Sequence, residues 1–259
     1  MPKTGQRRLQ RTTWAAIALA CLIAAVAGGW ALWDRSHTYD ASVPGDVLIS
    51  GDGRTLTTPV IWTGCEDEPR LVAHESARTV SLELERKQHA SVPKNAACIG
   101  DGGDNQRALT TTLGRPLGGR TLSDAVSHDI IRPFEAPHID HPRYLPKGYA
   151  PSDKPIGPGD VTQPPYRRTR TPSWTVTYLR NPGQGGDTGS LSISQTTGRI
   201  TEGPGTSVSV HGHPGHMERG PLGEQHLTWY AAGYTFDVHA ADRLLTEGEF
   251  LKVADQLGP

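Results

Sequence analysis

The sequence predicts a mixed architecture: an amino-terminal transmembrane helix, a small all-β, sandwich-like domain, and then an α+β domain made of an antiparallel sheet with a carboxy-terminal helix. A run of twenty residues, 14–33, holds no charge. Many short runs further on alternate apolar and polar residues between turns rich in Gly, Pro and Asp. The apolar period becomes helical only near the end of the chain.

Composition sets the frame. Of 259 residues 35% are hydrophobic, whereas 30 are Gly and 21 Pro, which favours turn-rich β structure with modest cores. That length accommodates two small domains. A net charge of -1 leaves no field that would gather nucleic acid, so no nucleic-acid partner is expected.

Residues 1–13, with Lys3, Arg7, Arg8 and Arg11, read as a cytoplasmic tail. Residues 14–33 have about the length a helix needs to cross a bilayer and carry Trp at both ends. The positive-inside rule then places everything after about residue 36 outside the cell membrane. A cleaved signal peptide competes with this anchor, but its apolar core usually spans only about 7 to 15 residues.

A polar stem, 34–44, leads to a β domain over 45–133. Strands are expected at 47–49, 55–62, 70–73, 79–86 and 108–113. Within 79–85, Val80, Leu82 and Leu84 alternate onto one face, as in a half-buried antiparallel strand. Cys21 falls in the apolar run, so Cys65 and Cys98 are the pair expected to form a disulfide in an oxidising location. A loop of that size is worth roughly 3 to 4 kcal/mol in the chain-entropy model.

Proline density marks 134–172 as an extended, partly disordered connector that includes the start of the second domain. Strands are expected over 173–259 at 174–179, 191–195, 207–210, 227–230 and 234–239. Thr246 with Glu249 forms a capping-box pattern, and Phe250, Val253, Ala254 and Leu257 mark one apolar helical face.

Over 45–133, the cysteine-bearing strand, the HES step and the segment PLGGRTLSDA resemble the outer domains of uncharacterised actinobacterial membrane-anchored proteins, which implies no activity. The order YLPKGY, WTVTYLR, LSISQ, VSVHGHPGH, LTWYAAGYTFDVHA and LTEGEFLKVADQL resembles a domain of unknown function in the extracytoplasmic parts of bacterial transmembrane anti-sigma regulators. That resemblance implies a lipoprotein-carrier-like sheet fold and a sensing or scaffold module. A cytoplasmic part of about 13 residues departs from those regulators, being too short to fold a sigma-binding domain.

Several clusters invite a chemical reading. In SVSVHGHPGHM, residues 207–217, His211, His213 and His216 could supply zinc ligands, but Pro214 and Gly215 intervene and no helical ligand spacing is present. A turn carrying surface histidines is the simpler account. His138, Asp140 and His141 lie in the connector without rigid support. Ser91 and Lys94 match the S-x-x-K spacing of some acyl-transfer enzymes, with Pro93 between them. The 100–105 loop lacks the bidentate Glu of a calcium site. Arg167, Arg168 and Arg170 read as a solvated basic spot.

No catalytic, cofactor or metal residue is therefore expected, and no cofactor. The expected function is a membrane-anchored, extracytoplasmic binding, sensing or scaffold protein of the bacterial cell envelope, not an enzyme. Its partners would be the membrane and another envelope protein. Trp229, Tyr230, Tyr234 and Phe236 are expected in the core or lining a groove. Two alternatives stay open: a zinc-dependent hydrolase using the 211–216 histidines, and lipid or lipoprotein handling by the second sheet.

Overall fold

The computed structural model describes residues 37–89, 105–152, 171–180, 189–200, 205–221, 223–241 and 245–257. The first module contains β1 (His37–Ala41), β2 (Leu48–Ile49), β3 (Thr55–Trp62), β4 (Arg70–Glu75), β5 (Thr79–Gln88), β6 (Asn105–Thr112), β7 (Thr121–Asp124) and β8 (Phe134–Glu135). In one sheet β5 pairs β4 along one side, and antiparallel β1 and parallel β7 share its other side. The second sheet runs β6-β3-β2-β8. Strict alternation produces the core between them: Leu56, Val60 and Trp62 on β3 and Val80, Leu82 and Leu84 on β5 are all buried. Asp124 is fully buried yet satisfied, because its carboxylate accepts from the backbone N–H of Val43, Val126 and Ser127 at 2.7 to 2.8 Å.

The second module contains β9 (Tyr149–Pro151), β10 (Ser173–Arg180), β11 (Ser190–Thr197), β12 (Thr206–Val210), β13 (His213–Arg219), β14 (Gln225–Ala231), β15 (Tyr234–Ala240) and α1 (Glu247–Ala254). The strands form one antiparallel sheet in the order β12-β13-β14-β15-β11-β10-β9. One face is apolar: Leu191, Ile193, Leu227, Trp229, Phe236 and Val238 meet Phe250, Val253 and Leu257 of the carboxy-terminal segment. Thr246 caps α1 through a complete capping box with Glu249. Gln195, buried on the same face, accepts from the Asp140 N–H at 2.6 Å and donates to the His138 carbonyl and the Asp140 carboxylate, strapping residues 138–140 across the sheet.

The architecture corrects the expected fold class. The chain is mainly β, with three sheets and a single α-helix of eight residues among the described residues, rather than a mixed chain with an α+β second domain. The helical period is too short to form a layer, and the His-rich stretch taken for a turn continues the sheet as β13. No helix among the described residues is long and apolar enough to cross a membrane, against the expected transmembrane helix. The run 14–33 on which that expectation rests lies outside the described residues. The 34–44 stem contains β1, and the connector contains β8, β9 and a 3-10 turn at Ala136–His138. Residues 153–170 lie outside the described residues.

Contacts between the modules among the described residues include a hydrogen bond and a ring pair. The Asp46 carboxylate accepts the Ser173 hydroxyl, and the Phe134 ring lies 5.8 Å from that of Tyr234. Burial pushes the Asp46 carboxyl above its ordinary range, partly offset by the Ser173 hydrogen bond.

Candidate binding face

Alternation that buries one side of the seven-stranded sheet turns polar side chains to the other. Strand registers align them in rows. Across β13, β14, β15, β11 and β10, one row runs Glu218, His226, His239, Ser192, Thr177. The next runs His216, Thr228, Asp237, Ser194, Thr175, and continues to Ser207 on β12. Three imidazoles, two carboxylates and a field of hydroxyls thus share one face.

His226 is the centre of the charged part. Its Nε2 lies 2.8 Å from Asp237 Oδ2 and 3.5 Å from Thr228 Oγ1, and its ring meets that of His239 edge-on at 6.3 Å. The Asp237 hydrogen bond, aided by the charges of Asp237 and Glu218 against partial burial, holds the His226 imidazole above its ordinary pKa of 6.5. Beside it Thr175 and Ser194 share a hydrogen bond of 2.7 Å, and the Arg199 guanidinium stands 4.6 Å over the Tyr230 ring. The arrangement can donate, accept and carry a positive charge that depends on pH.

Of the residues singled out in the sequence, His216 and Tyr230 lie on this face and the other described ones fall elsewhere. His211 and Gly212, at φ 51° and 77°, form the two-residue turn between β12 and β13. His213 and His216 are three apart on β13 and so point to opposite faces. The three do not converge, and no group of three or more His, Cys, Asp or Glu among the described residues could hold a metal ion. His141 Nδ1 lies 3.3 Å from the Tyr178 hydroxyl, whose pKa burial pushes up to about 12. His138 faces Glu135 at 3.7 Å and the Tyr234 ring. Trp229 and Phe236 stack in the core at 4.9 Å, Tyr230 lies on the polar face, and Tyr234 is at the joint. Cys65 takes part in a disulfide. Cys98, Ser91, Lys94, residues 100–104 and Arg167, Arg168 and Arg170 lie outside the described residues.

Sequence reasoning missed the His226, Asp237 and His239 group, although a signal existed. A two-residue turn at Ala232–Gly233 pairs Ala231 with Tyr234, which puts Thr228 opposite Asp237 and His226 opposite His239.

The fold and this face define, among the described residues, a two-module, mainly-β protein with a partly exposed polar sheet face that is closed over at Thr177. Comparison with known protein families, with curated proteins and with solved structures finds no match.

Proposed function

We propose that this is a membrane-attached, extracytoplasmic binding, sensing or scaffold protein of the bacterial cell envelope, acting without catalysis, and that the polar face of the second module is its recognition surface. The observation that supports it is the alignment of Glu218, His226 and His239 beside His216, Thr228 and Asp237 on neighbouring strands. An array of imidazoles, carboxylates and hydroxyls suits a polar partner, to which it can both donate and accept hydrogen bonds. The opposite face packs against α1 and the chain before β9.

Photo-reactive residues placed at Thr228 and Ser192, and at Lys252 on the helix side, test the reading in intact cells. The same partner captured from Thr228 and Ser192 and absent from Lys252 is the expected result. Equal capture from all three positions, or none from the face, overturns the surface. A cysteine at Ser192 that a membrane-impermeant maleimide reaches only after lysis overturns the location.

A further inference from the structure

We propose that strand β12 is a self-pairing edge, through which two copies of this chain join their seven-stranded sheets about a two-fold axis centred on Val208. This is independent of the binding role given to the polar face. Open sheet edges present unpaired N–H and C=O groups, and proteins ordinarily blunt them with charge, proline or shortness. The other edges among the described residues follow that rule: β1 carries Asp40, β4 Arg70 and Glu75, β6 Arg107, β8 Glu135, β9 ends in Pro151, and β7 is only four residues long. β12 reads TSVSV, with no charge and no proline. Among the described residues it pairs only β13, and Thr206, Ser207 and Ser209 are exposed.

Register decides what that edge offers. The two-residue turn at 211–212 makes Val210 and His213 a hydrogen-bonded pair, so the backbone of Val210, Val208 and Thr206 faces β13. The N–H and C=O of Ser207 and Ser209 therefore point outward. A two-fold through Val208 sets Ser207 of each copy opposite Ser209 of the other, which matches every outward donor to an outward acceptor. Val208 then opposes itself in a non-hydrogen-bonded pair, where side chains stand closest. Val208 is only partly buried against the core, and this pairing covers its remaining apolar surface. The self-complementary spacing favours a second copy over an unrelated extended peptide, and the absence of charge leaves nothing to repel it. A five-residue ladder is small beside the roughly 1,600 Å² of a standard stable interface, so the dimer is weak, with a dissociation constant of about micromolar or above.

Charge reversal at the axis tests this on the full chain in excess detergent by sedimentation velocity. V208K and V208E each place like charges directly opposite one another and are expected to weaken self-association at least about tenfold, while their equimolar mixture restores a dimer. Restoration cannot come from misfolding. A wild-type chain that stays monomeric across the concentration range, single variants that dimerise as wild type does, or a mixture that stays monomeric overturns the proposal. Should a charged variant lose its far-UV β signal, S209P takes its place, because it removes an outward N–H and leaves the β13 ladder intact. That variant is expected to be monomeric, and a dimer as tight as wild type overturns the proposal equally.

Discussion

At position 215 any side chain would collide: a Cβ would stand 3.0 Å from the Thr228 carbonyl oxygen and 3.1 Å from the Trp229 Cβ. Gly215 is thus where β13 lies tight against β14, and a side chain there requires the Thr228–Trp229 segment to give by a few tenths of an ångström. Gly215→Val is expected to cost about 1 to 3 kcal/mol, read as a lowered urea midpoint. His226 gives a pH test on the neighbouring face. Its folded-state pKa is raised, so the stability that the Asp237 pair contributes is fully present below 6.5 and fades as pH rises through the higher folded value. His226→Gln should remove that slope and leave the low-pH arm less stable than wild type. Melting curves across this window that fall in parallel for both proteins would disprove the coupling. The pair is about half exposed, so solvent screening keeps the effect small.

Among elements, α1 shows a local pattern and a tertiary one agreeing. Thr246→Ala removes the hydroxyl that accepts from the Glu249 N–H and donates to the Glu249 carboxylate, with an expected loss of about 1 kcal/mol by chemical denaturation. A loss within error would show that burial of Phe250 and Val253 alone holds the helix. β3, β5, β11 and β15 were legible because most of their inward side chains are apolar and recur at every second residue, with Thr58 in β3 and Gln195 in β11 as buried polar exceptions, and the capping box was legible from the Thr246 and Glu249 spacing. β13 was not. Its inward residues are Gly215 and Met217, and glycine carries no hydrophobic signal while Pro214 reads as a breaker. Pro214 is tolerated because the ladder to β14 begins only at Gly215 and its nitrogen faces away from β12. With β13 unread, the rows that build the polar face could not be assembled from sequence, and the histidines looked like a cluster on a loop.

For the whole molecule, the buried apolar residues fall into two separate cores, one in each module, so two thermal transitions are expected by calorimetry. Reduction should act on one of them, since Cys65 belongs to the first module: that transition loses about 2 to 5 kcal/mol of stability and the other does not move. A single transition that shifts as a unit on reduction would show the modules to be energetically fused. Asp46 bears on the same question. With its pKa raised by burial, its charged form weakens the joint, so stability contributed there falls as pH climbs from 3.8 through the folded value. Asp46→Asn keeps an acceptor for Ser173 and should raise the melting temperature at neutral pH while flattening that dependence. A lowered melting temperature would mean that the carboxylate has a favourable role at the joint.

The strand order of the second module also sets a folding sequence. β12 to β15 form a meander of neighbours closed by tight turns, whereas β15 must find β11 across a long stretch of chain, from Thr197↔Tyr234 to Leu191↔Ala240. Loop-closure entropy makes that seam the late and slow event, after the local hairpins exist. Until it closes, β15 and β11 are both bare on the side where they will later be most buried, and that interval is when the chain is most prone to aggregate.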